Sequence, residues 1–215
     1  MKERTQLLIH DFFTRHKDLL PIQEQILQAC ETIIAAYVNG NKLLLCGNGG
    51  SCADADHIAG ELLKGFLLKR PLCPELKEKM AQNYGACGAK IAAQLQIGLP
   101  AISLSAHSAA ISAFANDVDP ELVYAQQVLA YGKPGDILIG ISTSGNANNV
   151  AAAVMTANTL GVHTIGLTGK DGGKLATLAE LALIMPQQET YRIQEDHLAV
   201  YHLLCAVAES EMFAE

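Results

Sequence analysis

The stretch Asn41–Glu61, NKLLLCGNGGSCADADHIAGE, decides the fold of this chain. It begins with an apolar run typical of a buried strand, 43–46, and then breaks at a glycine-rich turn, 47–51. The next segment has a helical pattern. A strand, a glycine-rich turn and a helix N-terminus together form an anion site, because backbone N–H groups and the helix dipole point at the turn. We therefore expect a phosphate here; a tight turn without a ligand is the alternative. The residues that would hold the phosphate are Asn48, Gly49, Gly50 and Ser51.

The composition limits the classes of protein to consider. The chain has 215 residues, which suits one domain with a substantial core. Its hydrophobic half is rich in Ala and Leu and contains no Trp, which favours helices around a parallel sheet over a β-sandwich. A net charge of −7 and the lack of a basic run argue against a nucleic-acid surface. The charged N-terminus is not a signal peptide, and no apolar run reaches the roughly 18 residues that a membrane span needs.

The six cysteines do not form paired Cys-x-x-Cys motifs, and most lie in apolar patterns where a free thiol acts as a small hydrophobe. This distribution indicates a reduced, cytoplasmic protein. A bridge between Cys73 and Cys87 is the alternative that spacing leaves open.

Strand-like and helix-like patterns alternate along the chain. This alternation predicts an α/β fold with three layers, in which right-handed crossovers connect parallel strands. We expect one domain over 1–215, with two added helices in 1–40 and a helical insertion at the rim over 72–98. The predicted strands are 43–46, 100–104, 136–141, 163–167 and 181–185. The predicted helices include 2–17, 21–38, 108–115, 121–131, 147–160 and 191–212, and Pro21 is expected to start the second of them.

Polar turns follow the first, third and fourth predicted strands, with the sequences GNGGS, STSGN and TGKDGG. Ligands of parallel sheets bind outside the carboxyl ends of the strands, where these turns meet. Hydroxyl and N–H groups can hold a phosphate without a formal positive charge. We therefore assign Ser142, Thr143 and Ser144 to phosphate binding; a helix N-cap is the alternative. A dinucleotide site is disfavoured, since the first turn is not G-x-G-x-x-G and no acid ends the second strand.

Two helices have side chains suited to a metal ion or to proton transfer. His57 and Glu61 share one helix face, four positions apart. Gln194, His197 and His202 lie on the last helix, and Gln194 and His202 are about 80° apart around its axis. If that helix crosses the mouth of the sheet, these groups would converge as N and O ligands for Zn²⁺ or a similar ion. Spacing does not decide between His197 and His202.

A phosphate site beside a carboxylate and an imidazole suggests proton transfer on a sugar phosphate. Glu61 would move a proton between adjacent carbons, and the imidazole would exchange a proton with an oxygen. A metal ion would stabilise the charge of the enediolate as a Lewis acid.

These segments resemble the SIS (sugar isomerase) domain family, and most closely its phosphoheptose isomerases. The resemblance covers about residues 20–212 without the insertion. It depends on the combination of motifs, since STSGN alone would indicate only the superfamily. The matching segments are CGNGGS at 46–51, the His57-x-x-x-Glu61 pair, 115–117, GDILIGISTSGN at 135–146, LTGKDGGKL at 167–175 and RIQE-x-H at 192–197, with His202 beyond.

The resemblance implies a five-stranded, flavodoxin-like parallel sheet and a homotetramer with active sites at subunit contacts. It also implies interconversion of sedoheptulose 7-phosphate and D-glycero-D-manno-heptose 7-phosphate. Glu61 then corresponds to the catalytic base and His202 to the acid. The implied zinc ligands are His57, Glu61, Gln194 and His202; the implied phosphate ligands are Ser51, Ser142, Thr143 and Ser144; Asn116, Asp117 and Gln194 would contact the sugar.

The sequence departs from the family pattern at three places. Ala147 replaces a further phosphate-binding Ser, and Gly65 replaces an Arg that follows the catalytic Glu, although Lys64 and Lys69 are nearby. The segment 189–191 replaces an Asp. These differences alter the expected substrate contacts and leave the metal and proton-transfer set intact.

Two other functions fit the same family. A different phosphosugar could be the substrate. A non-catalytic SIS protein could bind a sugar phosphate or associate as a tetramer with the replication initiator, but those initiator partners lack the Glu that this chain has at Glu61.

Overall fold

The structure, a computed structural model, describes residues 1–214. Its centre is a sheet of five parallel strands in the order β2-β1-β3-β4-β5. This order is the flavodoxin-like one, and it confirms the predicted fold class. The strands are β1 Leu43–Gly47, β2 Ala101–Ser103, β3 Ile137–Ile141, β4 His163–Thr168 and β5 Leu181–Ile184.

The helices cover both faces of the sheet. The first core cluster packs α1, α2, α3 and α9 on one face, and the second packs α5, α6, α7 and α8 on the other. The three predicted layers are therefore present, and β1 and β3 are buried along their whole length between them. The helices are α1 Glu3–Arg15, α2 Gln23–Val38, α3 Gly50–Leu63, α4 Pro74–Ala92, α5 Ser108–Asp117, α6 Val123–Tyr131, α7 Asn148–Thr159, α8 Gly173–Leu178 and α9 Thr190–Phe213.

Some predicted boundaries differ from those of the structure. Pro21 lies inside a 3-10 helix, Lys17–Ile22, and α2 begins only at Gln23. Proline fits such a turn because it needs no N–H partner there. Asn116 and Asp117, expected in a loop, form the end of α5. The helix expected from residue 121 starts as a 3-10 turn, Pro120–Leu122.

The segment 72–98, expected to be a helical insertion, contains the largely exposed helix α4. Its break falls at Gly85, which has a φ of 58°. Of the residues in α4, only Gly88 and Ala92 are buried. A Cβ at Gly88 would lie 2.0 Å from the Met80 carbonyl oxygen, so the two halves of the kinked helix pack closely.

Two further expectations can be compared with residues 1–214. All six cysteines are free thiols, so no bridge joins Cys73 to Cys87. No helix in this part of the chain combines the length and apolar character that crossing a membrane requires.

Candidate active site

The two turns that are predicted to bind phosphate meet at the switch point of the sheet, where α3 leaves β1 toward one face and α7 leaves β3 toward the other. The Asn48 and Asn149 side chains tie the turns together with reciprocal amide hydrogen bonds of 2.8 and 3.0 Å. The Tyr124 hydroxyl donates to the Gly47 carbonyl oxygen at 2.6 Å and holds the first turn from below. The two turns therefore form one preorganised edge.

The third turn, TGKDGG, packs against the second one. Gly145 has a φ of 67°, and a Cβ there would lie 1.9 Å from the Gly172 carbonyl oxygen. The Leu175 N–H group donates to the Gly145 carbonyl oxygen at 2.9 Å. A side chain at Gly145 would both strain the backbone and separate the turns.

The N-termini of α3 and α7 lack side-chain caps. The N-cap residues are Gly49 and Ala147, and neither position forms a side-chain cap hydrogen bond. The serines of STSGN therefore do not cap α7, which contradicts the alternative considered above. The Ser51, Cys52 and Val150 N–H groups already donate to acceptors within the turns, so an anion would depend on the helix dipoles and on the remaining N–H groups.

The predicted hydroxyl groups lie along this edge. Ser51 is in the first turn of α3 and is 3% exposed. Ser142 is buried at the end of β3, whereas Thr143 and Ser144 are partly exposed. Ser144 Oγ accepts a 3.3 Å hydrogen bond from the Asn146 N–H group, which fixes the turn. The geometry is compatible with a phosphate held by backbone and hydroxyl groups.

Helices α3 and α9 run side by side in the same direction. Gln194 lies against Gly50, His57 bonds to Tyr201, and farther on the Phe66 N–H group bonds to Glu209. In these successive contacts the residue numbers rise together in the α3 segment and in α9, as they must when the two helices are parallel. His57 and Glu61 on α3 consequently lie beside His202 on α9, although about 140 residues separate them in sequence.

The His57, Glu61 and His202 cluster is compact. His57 Nε2 lies 3.2 Å from Glu61 Oε1, and the His57 and His202 ring centroids are 5.0 Å apart. The ring of Phe66 stacks on His202 at 5.6 Å. Lys64 Nζ donates to Glu61 Oε2 at 2.8 Å, so a lysine sits near the position where the family has its arginine.

The surroundings shift the pKa values of Glu61 and His202, the two groups that are expected to transfer protons. The hydrogen bond from Lys64 lowers the pKa of Glu61 against the opposing effect of burial, and His57 adds to the lowering. Burial lowers the pKa of His202, and the charge of His57 acts in the same direction. Glu61 is therefore an ionised acceptor near neutral pH, while His202 favours its neutral form.

His197 is the other candidate metal ligand or proton donor on α9, and it lies against β4, away from His57. It is fully buried, and its Nε2 atom bonds to the Thr168 carbonyl oxygen at 3.2 Å. Burial lowers the pKa of His197 to about 4. Of the two histidines that spacing left open, only His202 stands beside His57.

Gln194 is not beside the other three expected metal ligands. Its side chain lies over Gly50 at the phosphate turn, about 12 Å along α9 from His202 by the helical rise. Within residues 1–214, no three His, Cys, Asp or Glu side chains are already arranged to hold a metal ion. Two imidazoles and a carboxylate are nevertheless donors that suit Zn²⁺, and Nε2 and Oε1 face each other at a separation that a shared cation could bridge.

Asn116 and Asp117 are exposed at the end of α5 and hydrogen bond to each other at 2.9 Å. No hydrogen bond within the described chain connects them to His57, Glu61 or His202. Their contact with a sugar stays a prediction.

Sequence reasoning missed a buried ion pair beneath the cluster. Glu209 accepts hydrogen bonds from the N–H groups of 66–68 and from Arg70 Nε at 2.7 Å. Arg70 also donates to the Leu62 carbonyl oxygen at 2.7 Å. It thereby fixes the end of α3 next to Glu61. An acid within the apolar run LLCAVAES was the available signal.

Comparisons with known proteins show which family the chain resembles. The profile of the SIS domain family matches residues 20–92 and 78–169. The phosphoheptose isomerase of Helicobacter pylori (strain P12) is 41% identical over 207 residues, which cover 94% of each chain. That of Clostridium acetobutylicum is 39% identical over 192 residues, covering 89% of this chain and 85% of the relative.

A solved structure of a phosphoheptose isomerase is also similar to this chain. The phosphoheptose isomerase of Neisseria gonorrhoeae superposes with a TM-score of 0.73 at 32% identity, over 97% of this chain and 98% of the other.

Proposed function

This chain belongs to the SIS domain family, and from that premise we propose that it is an aldose–ketose isomerase of a phosphosugar. The substrate pair that we propose is sedoheptulose 7-phosphate and D-glycero-D-manno-heptose 7-phosphate, since its relatives are phosphoheptose isomerases. One observation carries the proposal: α3 and α9 place both Glu61 and His202 next to His57.

The proposed reaction needs two pairs of proton transfers, one pair at the carbons and one pair at the oxygens. The Glu61 carboxylate removes the proton from the carbon next to the carbonyl and returns it to the neighbouring carbon. The His202 imidazole delivers a proton to one substrate oxygen and accepts one from the other. The hydroxyls and uncapped helix N-termini of the two turns hold the phosphate and orient the sugar. Lys64 keeps Glu61 in place through its hydrogen bond.

We further propose a zinc ion held by His57, Glu61 and His202, which would supply Lewis-acid stabilisation of the enediolate when bound. Gln194, the fourth ligand that the resemblance implies, lies about 12 Å from His202 along α9 in this chain and is not placed to share that ion. The donor types of the His57, Glu61 and His202 cluster support this set. The position of Gln194 over Gly50 supports its additional role at the substrate.

The proposed assembly is a homotetramer with active sites at subunit contacts, as the resemblance implies. The free cysteines support a location in the cytoplasm. Asn116 and Asp117 are proposed to reach the sugar.

A different phosphosugar is the second candidate substrate. Ala147 is the N-cap residue of α7 and supplies no hydroxyl, and Gly65 supplies no side chain, so the substrate contacts differ from the family pattern.

The experiment is to incubate the purified protein with a panel of ketose phosphates in D₂O and to follow exchange of a C1 proton by NMR, with and without a chelator. Exchange that is fastest with sedoheptulose 7-phosphate supports the proposed substrate. Faster exchange with another ketose phosphate would replace it. No exchange with any member of the panel would refute the isomerase. If exchange persists in the presence of the chelator and metal analysis finds no zinc in the protein, the proposed role of zinc would be refuted.

A further inference from the structure

We propose that Phe66 is a positioning residue for His202: its ring lies along the imidazole and sets the plane in which His202 exchanges protons with the substrate. The inference deepens the proposed function and rests on it for the catalytic role of His202. The family resemblance gave Phe66 no role.

His202 lacks the hydrogen bonds that usually orient a catalytic imidazole. Its neighbour His57 is held at both ring nitrogens, since Nδ1 lies 2.9 Å from the Tyr201 hydroxyl and Nε2 lies 3.2 Å from Glu61 Oε1. Within residues 1–214, no hydrogen bond reaches the His202 ring. Rotation about the Cβ–Cγ bond of a histidine has broad, shallow minima. The plane of the His202 ring therefore depends on what packs against it.

Aromatic rings provide this packing. In the described part of the chain, three of them contact His202. The His57 ring meets it edge-on at 5.0 Å and 86°, and the Tyr201 ring is tilted by 67° at 4.8 Å. The Phe66 ring is nearly parallel to it, at 23° and 5.6 Å, in the range of an offset stack. A near-parallel neighbour opposes rotation most directly, because a turning imidazole would push its edge into the face of that ring.

The backbone of Phe66 is itself fixed. Its N–H group donates to Glu209 Oε1 at 2.8 Å, and the N–H group of the preceding Gly65 donates to Gln96 Oε1 at 3.0 Å. Glu209 is fully buried on α9, seven residues after His202. Seven residues are close to two helical turns, so Glu209 and His202 share one face of the helix. The segment that carries Phe66 is thus anchored to the same face that presents the imidazole.

The alternative is that Phe66 only fills space. Its ring also lines an open groove of about 390 Å³ between α1 and α9, together with Leu8 and Phe12. A packing residue and a positioning residue would both contribute to Tm. Only a positioning residue would change the order of the His202 ring, and it would lower kcat while leaving KM unchanged.

The test compares the parent with three variants. Phe66→Leu removes the aromatic face and keeps an apolar side chain. Phe66→Tyr keeps the face, and its added hydroxyl has room because Phe66 is only partly buried and lines the open groove. Phe13→Leu is the control for lost stability, since Phe13 lies on α1, is 8% exposed and stacks on Phe12 with ring centroids 5.1 Å apart.

Three measurements are made on each protein. The order of the His202 ring comes from ¹³C relaxation of histidine labelled at Cε1, with the signal assigned from His202→Gln. These spectra are recorded after chelator treatment and without substrate, so that neither an ion nor a ligand holds the ring. Steady-state kinetics with sedoheptulose 7-phosphate are measured on the untreated proteins, and Tm is measured by circular dichroism.

We expect a ring order parameter of about 0.85 in the parent, Phe66→Tyr and Phe13→Leu, and a fall toward about 0.6 in Phe66→Leu. The kcat of Phe66→Leu should fall by roughly 2- to 10-fold, the range that one aromatic contact supplies. Its KM should stay within about twofold of the parent value, because the turns expected to hold the phosphate are untouched. Phe66→Tyr should retain the parent kcat.

An order parameter or a kcat that Phe66→Leu leaves at the parent value would overturn the inference. The same holds if Phe13→Leu lowers either quantity as much as Phe66→Leu does. A Phe66→Tyr protein as impaired as Phe66→Leu would show that the aromatic face is not the cause. If the ring order responds as expected but the parent isomerises no phosphosugar, the proposed function fails and the positioning of His202 by Phe66 stands.

Discussion

Replacing Arg70 by Met should destabilise the protein strongly, because it leaves a buried carboxylate without its charge partner. The Arg70 and Glu209 side chains are 0% and 1% exposed, and they meet at 2.7 Å. Breaking one side of a buried ion pair costs about 3–5 kcal/mol. Three backbone N–H groups still bond to Glu209 in the variant, and they reduce this loss of stability. The Leu62 carbonyl oxygen loses its donor, and this adds about 1 kcal/mol to the loss.

The expected total is about 4 kcal/mol in the free energy of unfolding. For a chain of this size it lowers Tm by about 8–16 °C, at about 2–4 °C for each kcal/mol. The assay is thermal unfolding followed by circular dichroism. The matched control is Arg15→Met, whose ion pair with Asp11 is 58% and 64% exposed at 2.9 Å and should change stability by less than about 0.5 kcal/mol.

A second substitution separates charge from packing. Adding Glu209→Gln to Arg70→Met removes the uncompensated charge and should recover part of the lost Tm. A double variant that stays as unstable as Arg70→Met would mean that lost packing is the cause. If Arg70→Met melted within the range of Arg15→Met, the reasoning about the buried pair would be refuted.

Three further outcomes can be measured. Glu61→Gln should lower turnover by roughly 100- to 10,000-fold and leave Tm unchanged, since Glu61 is a proposed base outside the core; unaltered turnover would contradict that assignment. Ser144→Ala should raise KM for the phosphosugar more than it lowers kcat, because it removes one phosphate donor, and equal KM in steady-state kinetics would mean that STSGN is misassigned. Burial lowers the pKa of His197 from 6.5 to about 4, so His197 by itself should remove roughly 3 kcal/mol of stability as pH falls from 6.5 toward 4, while burial raises the pKa of the adjacent Asp196 to about 6 and acts in the opposite direction. His197→Gln, which keeps a donor for the Thr168 carbonyl oxygen, should flatten that loss in denaturation midpoints measured across this range; an equally steep loss would rule out His197 as the cause.

Local patterns were sufficient to predict the layers and the sheet. A fully apolar run such as 43–46 can only be buried on both sides, and a glycine-rich turn after it must lead to a helix on one face. The alternation of strands and helices along the chain then predicts a parallel sheet, in which the polar turns lie together at the carboxyl ends of the strands. The flavodoxin-like strand order itself came from the family resemblance. Boundaries were less predictable where weak local preferences competed, as at Pro21 and at the end of α5.

The identity of the groups that meet was decided only by tertiary structure. The sequence determined that His57 and Glu61 share a helix face, because the period of a helix is local, but spacing left His197 and His202 as equal candidates and only the family resemblance favoured His202. Packing of α9 beside α3 buries His197 under Thr168, turns His202 toward His57 and leaves Gln194 at the phosphate turn. The burial of Tyr201 and of the Arg70–Glu209 pair likewise depends on contacts between residues about 140 positions apart, which no periodicity along the chain encodes.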